Sequence, residues 1–153
     1  MADTTKYGKH IVTTLQPPER VAARLPEYSK WATRILWMDK DVVPGAFQMN
    51  TSWYRGPSPE NSPERFSHRH DCGEIIGFFS PTWEKPYELG AEIEFWLEDE
   101  KHMITSSAMI FVPAGMNHCP LIIHRADAPV FHFSVVDKGT YEMTMNEWQP
   151  YKK

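Results

Sequence analysis

The stretch Ser67-His68-Arg69-His70-Asp71-Cys72-Gly73-Glu74, running on into Ile75-Ile76-Gly77-Phe78-Phe79, carries two strand signals around one turn. In an extended strand, residues i and i+2 point to the same side, roughly 6.5–7 Å apart. His68 and His70 therefore aim two imidazoles at one point. Asp71-Cys72-Gly73 is a turn sequence, because Asp and Gly tolerate the backbone angles that a reversal needs. Glu74 stands where the chain returns, so its carboxylate reaches the same point as an oxygen ligand.

Outward from this segment the same period of two recurs. Upstream, Phe47, Met49, Thr51 and Trp53 alternate with Gln48, Asn50, Ser52 and Tyr54, which reads as a half-buried strand. A Pro-, Ser- and Glu-rich loop, Gly56 to Glu64, leads to a strand over Arg65 to His70. Downstream, strands are expected over Glu74 to Phe79, Ala91 to Leu97, Met103 to Val112, His118 to His124 and Val130 to Val136. They are separated by Pro81, Pro86 and Gly90, by the charged turn Glu98 to Lys101, and by Pro113-Ala114-Gly115. Short strands with turns between them predict an all-β, antiparallel sandwich or barrel. Residues 19 to 37 show a weak helical pattern (Val21, Leu25, Tyr28, Trp31, Ile35) broken at Pro26, so a short helix followed by a strand is expected. Residues 1 to 18 read as an extended arm ending at Pro17-Pro18. The expected organisation is one domain: an N-terminal arm and short helix or strand over 1–45, and a barrel over 46–153.

Composition excludes several classes. The chain has 153 residues, 41% of them hydrophobic and 13% aromatic, enough for one sizeable core. A net charge of −4 with scattered Lys and Arg argues against a nucleic-acid partner. No stretch of eighteen apolar residues occurs, so no membrane span is expected, and Met1 to Thr13 lacks the apolar region of a secretory signal. Cys72 and Cys119 make a poor disulfide framework, so reduced thiols and a cytoplasmic location are expected.

A second segment, Pro113-Ala114-Gly115-Met116-Asn117-His118, would swing His118 in from a distant strand. With His68, His70 and Glu74 it completes three imidazoles and one carboxylate, a set that suits one divalent transition metal. The ligand set alone does not choose among Fe, Mn, Ni, Co, Cu and Zn, and iron is the first expectation. Four protein ligands leave one or two positions open on a five- or six-coordinate ion, whereas a tetrahedral zinc would be closed. Both spacings in the right order should arise by chance in on the order of one in a thousand such chains, which outweighs the alternative that His68 and His70 are surface strand residues.

These two segments resemble the two motifs of the cupin superfamily, small β-barrels whose first motif supplies two His and a Glu and whose second supplies a third His. The resemblance covers roughly residues 46 to 136. More narrowly, Leu89-Gly90-Ala91-Glu92-Ile93-Glu94-Phe95-Trp96-Leu97 and His118-Cys119-Pro120 resemble uncharacterised bacterial cupin-2 type metal-binding proteins. The resemblance implies a single cupin, jelly-roll-like barrel, a metal at His68, His70, Glu74 and His118, and a tendency to form homodimers. Ser62, Pro81, Ser107 and Ile122 stand where the cupin pattern usually has Gly, Gly, Gly and Asn, which touches turn geometry more than the ligands.

Other residues carry weaker expectations. His132, alternating with Val130 and Ser134, could serve as an acid or base, and so could Glu94 beside Glu92; a sheet-bonded histidine and a solvated carboxylate face are the plainer readings. Cys72 reads as a turn thiol. Cys119 is expected on the strand face opposite His118, in the core. His10, His102 and His124 read as surface. Gln48, Asn50 and Arg69 are candidates for orienting a polar substrate, and Trp53, Tyr54, Phe78, Phe79, Phe95, Trp96, Phe131 and Phe133 for core and pocket wall. Three functions stay open for a small-molecule substrate: a non-haem metal dioxygenase, a non-redox lyase, isomerase or decarboxylase, and a binding module without turnover. The polar arm also makes a homodimer the expected assembly.

Overall fold

Turn residues and β-branched or aromatic runs divide the chain into short strands, and the computed structural model describes residues 5–150 of it. Residues 1–4 of the arm and 151–153 of the tail lie outside the described residues. Two single-turn helices, α1 (Glu19–Ala22) and α2 (Leu25–Tyr28), precede the strands. The strands are β1 (Ala32–Met38), β2 (Gln48–Tyr54), β3 (His68–Arg69), β4 (Glu74–Phe79), β5 (Glu88–Leu97), β6 (Glu100–Ser106), β7 (Ala108–Val112), β8 (His118–Ala126), β9 (Val130–Val136) and β10 (Thr144–Met145). No described helix is long and apolar enough to cross a membrane.

The strands form two five-stranded antiparallel sheets, ordered β1-β2-β9-β4-β7 and β10-β3-β8-β5-β6. They are not closed into one continuous barrel, and the architecture is jelly-roll-like. Phe78, Leu89, Ile93, Phe95, Ile123 and Val130 lie between the sheets with almost no exposure. Each such side chain stabilises the fold by about 1.5–3 kcal/mol relative to an exposed one.

Several strand limits differ from the sequence expectation. Met103 to Val112 is two strands in different sheets, because the chain crosses over at Ser107. Ser107 Oγ donates to the Pro86 carbonyl (2.6 Å) and accepts from the Ser80 amide (2.9 Å), which pins the crossing. Before His68 the chain makes a 3-10 turn over Pro63–Arg65 instead of a strand. Residues 32–38 pair along the whole of β2, so they form an edge of the first sheet.

The larger correction concerns the faces. Along β2 the polar set Gln48, Asn50 and Ser52 is buried with Tyr54, while Phe47 and Met49 are exposed. Of the aromatics expected in the core, Tyr54, Phe78 and Phe95 are buried, but Trp53, Phe79, Phe131 and Phe133 sit half-exposed on the outer face. Gly77 makes room there. A Cβ at Gly77 would lie 2.4 Å from a ring atom of Phe133 and 2.7 Å from one of Phe79, and these two rings stack with centroids 5.9 Å apart. A period of two says that the faces differ, and burial decides which one is inside.

Candidate metal centre

His68 on β3 pairs directly with His118 on β8, so strand register brings two residues fifty positions apart side by side. His70 follows β3, and Glu74 opens β4 in the other sheet. The ring centroids of His68 and His118 are 4.4 Å apart, those of His68 and His70 5.0 Å, and those of His70 and His118 5.1 Å. One nitrogen from each ring lies within 4.8 Å of the other two. Glu74 Oε2 is 3.1 Å from His70 Nε2 and 2.9 Å from His118 Nε2. All four side chains are buried.

The other ring nitrogens explain the orientation. His68 Nδ1 faces the Phe66 carbonyl at 2.9 Å, His118 Nδ1 faces the Met116 carbonyl at 3.3 Å, and His70 Nδ1 faces the Glu142 carbonyl. A carbonyl accepts only, so each Nδ1 carries the proton, and in the neutral ring each Nε2 presents a lone pair. Ser134 Oγ donates to Glu74 Oε1 at 2.5 Å, which leaves Oε2 free. His70 Nε2, His118 Nε2 and Glu74 Oε2 are buried, close together and without a hydrogen bond. Converging acceptors repel one another unless a cation lies between them. The three histidines form a group that could hold a divalent metal, and Glu74 stands beside two of them.

Burial, with His118 nearby, holds His68 down to about 4. Burial also pushes His70 down, but the Glu74 carboxylate more than reverses this, and its pKa ends above the ordinary value. Burial opposes the charge on Glu74, yet His118, His70 and Ser134 hold its carboxyl well below the usual range.

A cavity of 620 Å³ opens beside the cluster, lined by His68, Glu74 and His118 on one side and by β1, β2 and the α1–α2 segment on the other. His132 lines it, stacked between Tyr54 (4.7 Å) and Phe78 (5.3 Å), with Nδ1 3.1 Å from the Gly77 carbonyl. Burial and the Arg34 charge lower it to about 3, so it is neutral near pH 7 and matches hydrogen bonding better than proton transfer. Glu94 does not line the cavity. It is buried, not solvated, and accepts from Trp96 Nε1 (2.6 Å) and pairs with His124 (2.7 Å).

Of the other candidates, Asn50 lines the cavity, whereas Gln48 and Arg69 do not. Cys119 packs in the core as expected, but it also lines the same cavity as His118 instead of facing away from it. The pairing of β8 with β5 slips between Phe95 and Leu97, and Cys119 takes a φ of 69°, so alternation fails at this bulge. Cys72 is buried in its turn, and burial raises both thiols. His10, His102 and His124 are exposed.

Sequence reasoning missed the tail. β10 pairs with β3, and the Gln149 side chain accepts from the Ser67 amide (2.8 Å) and donates to the Ser67 carbonyl (2.9 Å). This return places Tyr141 in the cavity wall, its hydroxyl 3.5 Å from His68 Nε2, and supplies the carbonyl that holds His70. Nothing local in residues 137–150 signals the role. Arg34, also missed, sits at a register shift of β1 that breaks simple alternation.

No protein-family profile matches the chain, and no curated protein matches it. Among solved structures it is similar to a recombinant oxalate oxidase in complex with glycolate, at 9% identity and a TM-score of 0.50, over 74% of this chain and 54% of that one. The fold is that of a cupin. A cupin protein from Bacteroides fragilis is 19% identical over 67% of this chain and 76% of its own, with a TM-score of 0.42. A structure from a study of DMSP lyases is 14% identical over 67% of this chain and 45% of its own, with a TM-score of 0.43. The chain spans about half the length of the oxalate oxidase and lyase chains it resembles, and at these identities the likeness is one of fold.

Proposed function

We propose that this cupin is a metal-dependent enzyme acting on a small oxygenated substrate, a carboxylate or carbonyl compound, in the cavity beside His68, His70, Glu74 and His118. The carrying observation is the set of converging, buried acceptors His70 Nε2, His118 Nε2 and Glu74 Oε2. A divalent transition metal held there would supply Lewis-acid polarisation, and iron would add the redox chemistry that a dioxygenase needs. The protein's own part is to fix the imidazole tautomers through three backbone carbonyls, to aim Glu74 through Ser134, and to keep bulk water from the buried cluster. The free thiols Cys72 and Cys119 support a reducing, cytoplasmic compartment.

The test is metal analysis after anaerobic purification, followed by assays on the loaded protein. Iron with substrate-dependent oxygen uptake supports the dioxygenase. Turnover under nitrogen with manganese or zinc supports a lyase, isomerase or decarboxylase. Tight small-molecule binding without turnover makes the cupin a binding module, and a chain that takes up no metal overturns the proposal.

A further inference from the structure

The cavity that His68, Glu74 and His118 line also carries a guanidinium with no counter-ion among the described residues. Arg34 lines the cavity from β1, half-buried. One of its terminal nitrogens donates to Asn50 Oδ1, and its Cζ lies 4.6 Å from the centroid of the Tyr28 ring. Tyr28 is itself held by a hydrogen bond from its hydroxyl to Ser52 Oγ, 2.8 Å. The Arg34 Nε is buried and finds no acceptor. No described Asp or Glu forms an ion pair with Arg34.

A half-buried charge without a counter-ion is costly, and a planar guanidinium fork matches a carboxylate through two parallel hydrogen bonds. The acids around the cavity do not answer Arg34: Glu27 pairs with Lys30, Glu64 accepts from Ser62, and Glu74 belongs to the metal cluster. The same cavity wall carries the apolar side chains of Leu25, Trp31, Ile76 and Leu121. We infer that Arg34 anchors the carboxylate of a substrate with an apolar body, whose other end lies at the metal cluster. This rests on the reading of that cluster as the reacting centre.

The test is calorimetric titration of zinc-loaded and metal-free protein with phenylacetate and hexanoate against phenylacetamide and hexanamide. Wild type should bind at least one acid about tenfold or more tighter than its amide, as a charge-assisted pair provides. Arg34→Gln should bring acid and amide to similar affinity without changing metal content, and Arg34→Lys should keep part of the preference. Should Arg34→Gln fail to fold, Asn50→Ser, which frees the guanidinium, should lower the preference severalfold. A wild type with no preference for either acid, or an undiminished preference in Arg34→Gln, overturns the inference while leaving the metal reading intact. A chain that takes no metal but keeps an Arg34-dependent preference for acids defeats only the metal reading.

Discussion

Replacing Glu74 by Gln tests whether the buried cluster is built around a cation. In the metal-free protein Glu74 Oε2 stands 2.9 and 3.1 Å from the His118 and His70 Nε2 atoms, with no hydrogen bond to either. In Glu74→Gln the new side-chain amide would donate to those nitrogens, while Ser134 still donates to the other oxygen. Each buried acceptor that gains a donor recovers about 1 kcal/mol or more, so the metal-free variant should be more stable than wild type by about 2–3 kcal/mol. For a chain of this size that is a rise of roughly 4–10 °C in Tm. With metal at a hundred times its Kd, wild type should gain about 2.7 kcal/mol, and the variant much less, because a neutral amide is a poorer ligand. The order of stability should therefore invert between chelator and excess metal, measured by thermal unfolding in each. A variant less stable than wild type under both conditions would refute the reasoning, since the cluster would then be a structural proton-sharing network.

Other outcomes follow from the same geometry. His68→Ala and His118→Ala each remove one of four ligands and should lower metal occupancy at least tenfold after anaerobic purification, while the exposed His102→Ala should leave it unchanged by elemental analysis. In metal-free protein, His68 and His132 are held to about 4 and about 3, below the unfolded value near 6.5. The unfolded chain therefore binds protons that the folded chain refuses, and stability should fall as pH drops from about 6.5 toward 4, by up to about 1.4 kcal/mol per unit for each group. His132→Phe should remove one group's share of that slope in urea unfolding. Gly77→Ala should cost about 1–3 kcal/mol in the same assay, because its Cβ would collide with the Phe79 and Phe133 rings.

Local spacing alone determined much of this protein. The i, i+2 pair His68 and His70, the Asp71-Cys72-Gly73 turn before Glu74 and the Pro113-Ala114-Gly115 turn before His118 are short-range facts, and period-two segments name strands without reference to neighbours. Those spacings carried the cluster and the all-β, cupin-like fold. Tertiary structure decided what depends on register and on which face is covered. The β3–β8 pairing set His118 against His68, and the return of β10 brought Tyr141 and the Glu142 carbonyl to the site from a tail with no local signal. The slip at Cys119 turned that thiol inward, and the shift in β1 delivered Arg34 to the cavity. The alternation of β2 reads the same whichever face is inside. Only packing shows that Asn50 and Ser52 line a polar interior while Met49 and its apolar neighbours face outward. The physical reason is that periodicity belongs to a single strand, whereas burial belongs to the contacts between strands far apart in the chain.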